Sequence, residues 1–136
     1  MKKLLLIFLL LMAMAQTCYS QNVRNKNNAS IAKIESDGTV RNSNNSYLGR
    51  IEGDGSIRNS NNSYLGRIES DGTVRNQNNS ALGRVEADGT VRNSNNSYLG
   101  RIEGDGTVRN QDNSAIGYVS GIPMRWAAIY FFFNFF

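Results

Sequence analysis

From residue 23 onward, apolar positions recur as two short stretches in every 17 residues. In one unit these are Tyr47-Leu48-Gly49-Arg50-Ile51-Glu52 and Ser56-Ile57-Arg58, split by Gly53-Asp54-Gly55 and followed by Asn59-Ser60-Asn61-Asn62-Ser63. Neither stretch is long enough for a helix. Their β-branched residues and their Gly, Asn, Asp and Ser flanks predict strands. The step is constant, from Val23 through Val40, Ile57, Val74 and Val91 to Val108. A fixed short period marks a repeat architecture, in which a unit too small to bury its own apolar face stacks on its neighbours.

Asp-Gly, the strongest short hairpin signal, occurs at Asp37-Gly38, Asp54-Gly55, Asp71-Gly72, Asp88-Gly89 and Asp105-Gly106 and predicts five hairpins. A two-residue loop would set Ile51 against Arg58, whereas a three-residue Gly53-Asp54-Gly55 loop sets Ile51 against Ile57 and keeps apolar with apolar. The longer loop needs a positive φ at its last residue, which Gly55 supplies. It also sets Arg50 against Arg58, tolerable only with a Glu such as Glu52 in reach. Gly49 interrupts the first strand, and a bulge there would bring Leu48 and Ile51 to one side; the alternative is a strand buried on both faces. The Asn-Ser-Asn-Asn-Ser stretch predicts a tight polar turn, since Asn and Ser bond their own backbone and Asn tolerates left-handed φ.

The ends of the array are complementary. Asn22-Val23-Arg24-Asn25 matches only the second strand of a unit, and Ala115-Ile116-Gly117-Tyr118-Val119 only the first. A closed ring would pair these halves and remove exposed strand edges, whereas an open solenoid would leave them as ragged caps. The fold expected is therefore all-β, with 17-residue β-hairpin repeats in a closed, flower- or propeller-like arrangement or a stacked one.

Three segments divide the chain. Residues 1–20 read as a secretory signal peptide, with basic Met1-Lys2-Lys3 before the apolar run Leu4 to Ala15. Cleavage is expected after Ser20 or Ala15, with lipidation at Cys18 the lesser alternative. Residues 21–121 hold the repeats. Residues 122–136 form an aromatic closing segment in which Pro123 suits the start of a helix and Tyr130-Phe131-Phe132-Phe133 suits a strand. This segment is expected to plug or cover the apolar face of the repeats. Docking on a membrane or partner, or a terminal Phe acting as an outer-membrane barrel signal, are the alternatives. The repeat strands are far shorter than the roughly 9–11 residues a spanning barrel requires.

Without residues 1–20 the chain has neither Cys nor His, so its stability must come from pooled apolar residues rather than disulfides. Its formal charge of +4 falls to +2 without Lys2 and Lys3, and its Arg residues alternate with Glu and Asp, which argues against a nucleic-acid surface.

The units Ile34-Glu35-Ser36-Asp37-Gly38-Thr39-Val40-Arg41 and their four copies, with Trp126-Ala127-Ala128 before an aromatic run, resemble the five-fold β-flower proteins, short secreted bacterial proteins. The resemblance covers nearly all of residues 21–136. It implies hairpin petals around a central axis in an exported protein and brings no activity to particular residues. Five complete hairpins plus one split unit leave five or six petals open.

Repeated pairs such as Glu52 and Asp54 could serve acid/base chemistry or calcium. Five near-identical copies argue against catalysis, which needs one asymmetric pocket, and each turn offers too few oxygens for the roughly 6–8 that calcium takes. Turn chemistry for Asp54 and charge balance for Glu52 are the simpler reading, so no catalytic residue, metal ligand or cofactor is expected. Tyr47, Tyr64 and Tyr98 share one position that holds Ser30, Ala81 and Ala115 elsewhere, hence a partly exposed one. Beside Asn and Arg they are the candidate ligand surface, able to stack on sugars, or else they cover strand edges. The function expected is an exported, non-enzymatic structural or interaction protein whose partner is unidentified. A glycan-binding module and a self-assembling β-repeat are the alternatives.

Overall fold

The computed structural model describes residues 21–136; the expected signal peptide, its cleavage site and Cys18 lie outside the described residues. Twelve strands follow one another: β1 (Asn22–Asn25), β2 (Ser30–Ile34), β3 (Thr39–Asn42), β4 (Tyr47–Ile51), β5 (Ser56–Asn59), β6 (Tyr64–Ile68), β7 (Thr73–Asn76), β8 (Ala81–Val85), β9 (Thr90–Asn93), β10 (Tyr98–Ile102), β11 (Thr107–Asn110) and β12 (Ala115–Val119). A helix, α1 (Met124–Phe132), ends the order among the described residues. Each strand pairs antiparallel with the next, and β1 pairs with β12, so the sheet closes into a barrel without edges.

The split unit closes the ring as a sixth petal. Val23 faces Val119, Arg24 faces Tyr118 and Asn25 faces Gly117, the register in which Ile57 faces Ile51, Arg58 faces Arg50 and Asn59 faces Gly49. The array is therefore closed rather than stacked, and it has six petals.

Both turn types are local chemistry repeated. In the Asp-Gly turn the Gly55 N–H donates to the Glu52 carbonyl at 3.0 Å and the Glu52 N–H to the Ser56 carbonyl at 2.8 Å, with φ of 90° at Gly55. This is the three-residue loop that the facing of Ile51 and Ile57 requires. In the Asn turn, Asn42 Oδ1 accepts from the N–H groups of Asn44 (3.0 Å) and Ser46 (2.9 Å), and Asn45 takes a left-handed φ of 65°. The Asp-Gly turns form one rim of the barrel and the Asn turns the other.

The bulge expected near Gly49 is present: Val40 faces Gly49 and Arg41 faces Tyr47, so Leu48 is the extra residue. Leu48 packs half-buried against the core, while Gly49 and Ile51 point fully inward.

Each petal contributes two inward β-branched residues, for example Ile51 with Ile57 and Val85 with Val91, and all twelve are at most 6% exposed. Twelve strands about 4.8 Å apart make a ring of radius about 9 Å, somewhat more with tilt. Inward Ile and Val side chains fill about 4 Å of that, leaving room for a helix backbone of radius about 2.3 Å that carries little more than methyl groups. That space holds α1. Ala127, Ala128 and Ile129 at its middle are completely buried.

The helix runs from rim to rim. Near its start, Met124 Sδ lies where a Cβ on Gly89 would be 2.9 Å away, and Arg125 donates to the carbonyls of Glu69 (3.1 Å) and Ser70 (2.8 Å) at the Asp-Gly rim. Beyond its middle the tail spreads at the Asn rim, one ring to a petal. Phe131 lies on Gly117, Phe132 on Gly100, Phe133 on Gly83, Phe135 on Gly66 and Phe136 on Gly49. A Cβ at Gly83 would stand 3.0 Å from Phe133 Cε1 and collide with the Arg92 carbonyl oxygen, so the missing side chain is what admits the ring. Asn134, exposed and at φ of 51°, spaces Phe133 and Phe135 onto neighbouring petals. The remaining petal carries buried Ala32 at the glycine position, and the tail has no phenylalanine left for it. The closing segment is thus a helix followed by a fan of rings, and it fills the barrel from inside.

Because Phe133 fills a petal that cannot collapse around it, Phe133→Ala is expected to lower stability by about 3 kcal/mol, read as a fall in the urea midpoint by circular dichroism. An unchanged midpoint would show that the ring does not hold its petal.

Candidate functional site

The outer wall is set by strand alternation: residues flanking the inward pair face outward. Arg50 and Arg58 lie opposite each other, and Glu52 Oε1 accepts from both, at 2.9 Å from Arg50 Nη2 and 2.8 Å from Arg58 Nε. The same triad recurs at Glu69, Glu86 and Glu103, and with Lys33 and Arg41 at Glu35. One carboxylate between two cations resolves the like-charge facing. At this exposure, with solvent screening the charges, each pair contributes little to stability. Arg58 also reaches the Asn62 carbonyl at 3.2 Å, and Arg50 the Asn62 side-chain oxygen at 3.1 Å, tying wall to rim.

The split petal breaks this pattern. Tyr118 and Ser120 stand where the other petals have Arg or Lys and Glu; among the described residues the Arg24 side chain makes only a 3.4 Å bond to Ser120 Oγ, and its buried Nε has no acceptor.

The candidate tyrosines stand on this wall at the start of their strands. Tyr47 is 37% exposed, and its ring lies 6.0 Å from the Arg41 guanidinium carbon; Tyr64 lies 5.9 Å from that of Arg58. These two occupy neighbouring petals. Tyr98 is separated from Tyr64 by the petal that carries Ala81, so the barrel distributes the three around its circumference rather than gathering them into one pocket. With its edges closed, the barrel leaves no strand edge for them to cover.

The repeated aspartates serve the turns. Asp54 Oδ1 accepts from the Ser56 N–H at 2.9 Å, and the equivalent bond forms at Asp37, Asp71, Asp88 and Asp105. That backbone bond holds all five carboxyls below their usual 3.8. Glu69 and Glu86 are lowered as well, chiefly by hydrogen bonds from Arg75 and Arg92. Among the described residues no group of three or more His, Cys, Asp or Glu is placed to hold a metal ion, and no helix is long and apolar enough to cross a membrane.

Sequence reasoning named the aromatic tail but missed the packing of its rings on the petal glycines, which places it at the Asn-rim end. There the five phenylalanines are each partly exposed, surrounded by half-buried Ile31, Leu48, Leu65, Leu82, Leu99 and Ile116. The available signal was numerical: five glycines at 17-residue spacing, with Ala32 the exception, against five phenylalanines in the tail.

Hairpin petals closed around an axial helix, with turn chemistry repeated at each rim, are a flower-like architecture. The profile described as 5-fold beta-flower protein matches residues 19–135. The chain belongs to that family. No curated protein and no solved structure matches it. Against the five-fold description, this β-flower protein closes with six petals, five from contiguous hairpins and one shared by its two ends.

Folding stability should follow the aspartates. A carboxyl whose folded pKa is depressed stabilises the fold at any pH above its unfolded value, and that contribution is lost as pH falls through the folded value. The urea midpoint is expected to be flat above about pH 5 and to fall below about pH 4. Replacing the five aspartates by Asn, which keeps the acceptor oxygen without the charge, should flatten that acid limb. A limb unchanged by the replacement would place its origin elsewhere.

Proposed function

We propose that this β-flower protein is an exported, non-enzymatic interaction protein that presents a rigid, repeated surface. The observation that carries the reading is that the barrel axis is filled by the chain itself. The interior is occupied by α1 and its rings, and what the protein offers to others is the repeated wall and the aromatic end. The carboxylates that could do chemistry sit in five equivalent surroundings, each engaged by its own turn or its own pair of cations, which suits structure rather than proton transfer. Export rests on the basic start and apolar run of residues 1–20. Cell fractionation with cross-linking mass spectrometry tests it: the protein should appear in envelope or medium, cross-linked to a partner or to itself. Recovery only as a cytoplasmic monomer would overturn it.

A second reading, glycan binding on the wall, is favoured by Tyr47, an exposed aromatic whose ring is backed by a guanidinium. Signal on a glycan array that is lost when Tyr47, Tyr64 and Tyr98 become Ala would support it. An array without signal would remove it.

A further inference from the structure

The Asn-rim end has the chemistry of a self-complementary interface. Its centre is the fan of partly exposed phenylalanines. Its rim is six turns whose tips carry Asn27, Asn44, Asn61, Asn78, Asn95 and Asp112. The side chains of these five asparagines make no hydrogen bond among the described residues, and each can both donate and accept. Two charges stand on the six turns, Lys26 and Asp112, both exposed and neither in an ion pair among the described residues. They are opposite in sign. They also stand on adjacent turns, 25–29 and 110–114, which flank the petal made by β12 and β1.

We propose that this end joins a second copy of the chain face to face, about a two-fold axis perpendicular to the barrel axis. The axis passes through the split petal and sets Lys26 of each copy on Asp112 of the other.

The placement of the charges selects this geometry. A two-fold axis through the split petal exchanges turn 25–29 with turn 110–114, so one Lys and one Asp make two identical bridges, as an isologous interface requires. The same operation lays turn 42–46 on 93–97, both Asn-Ser-Asn-Asn-Ser, and turn 59–63 on 76–80, which differ by Ser60 against Gln77. The tips then face amide to amide, Asn44 on Asn95 and Asn61 on Asn78, while Lys26 and Asp112 bring opposite charges together. A lipid surface would instead have to strip water from the rim of amides that stands around the rings, with no acceptor in return. A ring of backbone radius about 9 Å with about 5 Å of side chain presents a disc of about 600 Å². Two such discs total about 1,200 Å², at the lower end of specific interfaces, so a weak, concentration-dependent dimer is expected.

This names a partner for the interaction reading but can fail without it: a monomer that still cross-links to another protein in cells would overturn the dimer alone. The test is sedimentation equilibrium of the purified protein from micromolar to millimolar concentration. The wild type should shift from monomer to dimer mass. Lys26→Glu and Asp112→Lys, both on exposed turns and checked for native circular dichroism, should each weaken the dimer about tenfold or more, by setting like charges together. An equimolar mixture of the two variants should form a heterodimer, and the double variant should form a homodimer again. A wild type that remains monomeric, assembles beyond a dimer, or dimerises equally well in both single variants would overturn the proposal, as would a mixture that associates no better than its components.

Discussion

The structure depends on the contact between a phenylalanine ring and a glycine. A closed ring of four- and five-residue strands has too little interior of its own: each petal turns inward two β-branched residues and, beside the bulge, a glycine, or in one petal the small Ala32. Two-stranded hairpins of this size are marginal alone. What makes the ring a solid object is a second element along its axis, narrow where Ile and Val crowd it and wide where the glycines leave space. Ala127 and Ala128 meet the first condition and the five phenylalanines the second. Packing of this kind tolerates little change in volume, because neither barrel nor helix can close over a gap left by the other.

Around that axis the two turn types give the molecule two unlike ends. Asp-Gly turns place a carboxylate at each of five tips on one rim, held ionised by its own backbone bond. Asn turns solve the same chain reversal with neutral amides, aided by the tolerance of Asn for left-handed φ. The wall between carries the cations, each petal's pair sharing one glutamate except at the closure, where Tyr118 and Ser120 leave Arg24 without a carboxylate among the described residues. The cation–carboxylate–cation triad thus repeats in every petal except the one where the two ends of the repeat array meet.

Much of this was legible from one sequence. Period, turn length and cross-strand facing followed from Asp-Gly and from the requirement that Ile51 meet Ile57, because hairpin register is set within a single short stretch of chain. The bulge at Gly49 was legible in its existence, but its meaning was not: read locally, a glycine relieves a strand, whereas in the structure it is the floor of a pocket for a residue up to 87 positions away. The tyrosines were correctly read as partly exposed. Whether they gathered into one site depended on where the Ala81 petal falls in the ring.

What the sequence determined alone was therefore what short separation governs, namely strands, two kinds of turn and ion triads, together with the matching pattern of the two half-units at the ends of the array. What tertiary structure decided was closure and what fills it. Helix and strand compete in Tyr130 to Phe136 on nearly equal local terms, and only the radius of a ring of twelve strands, a property no segment possesses by itself, admits a thin helix followed by a fan of rings.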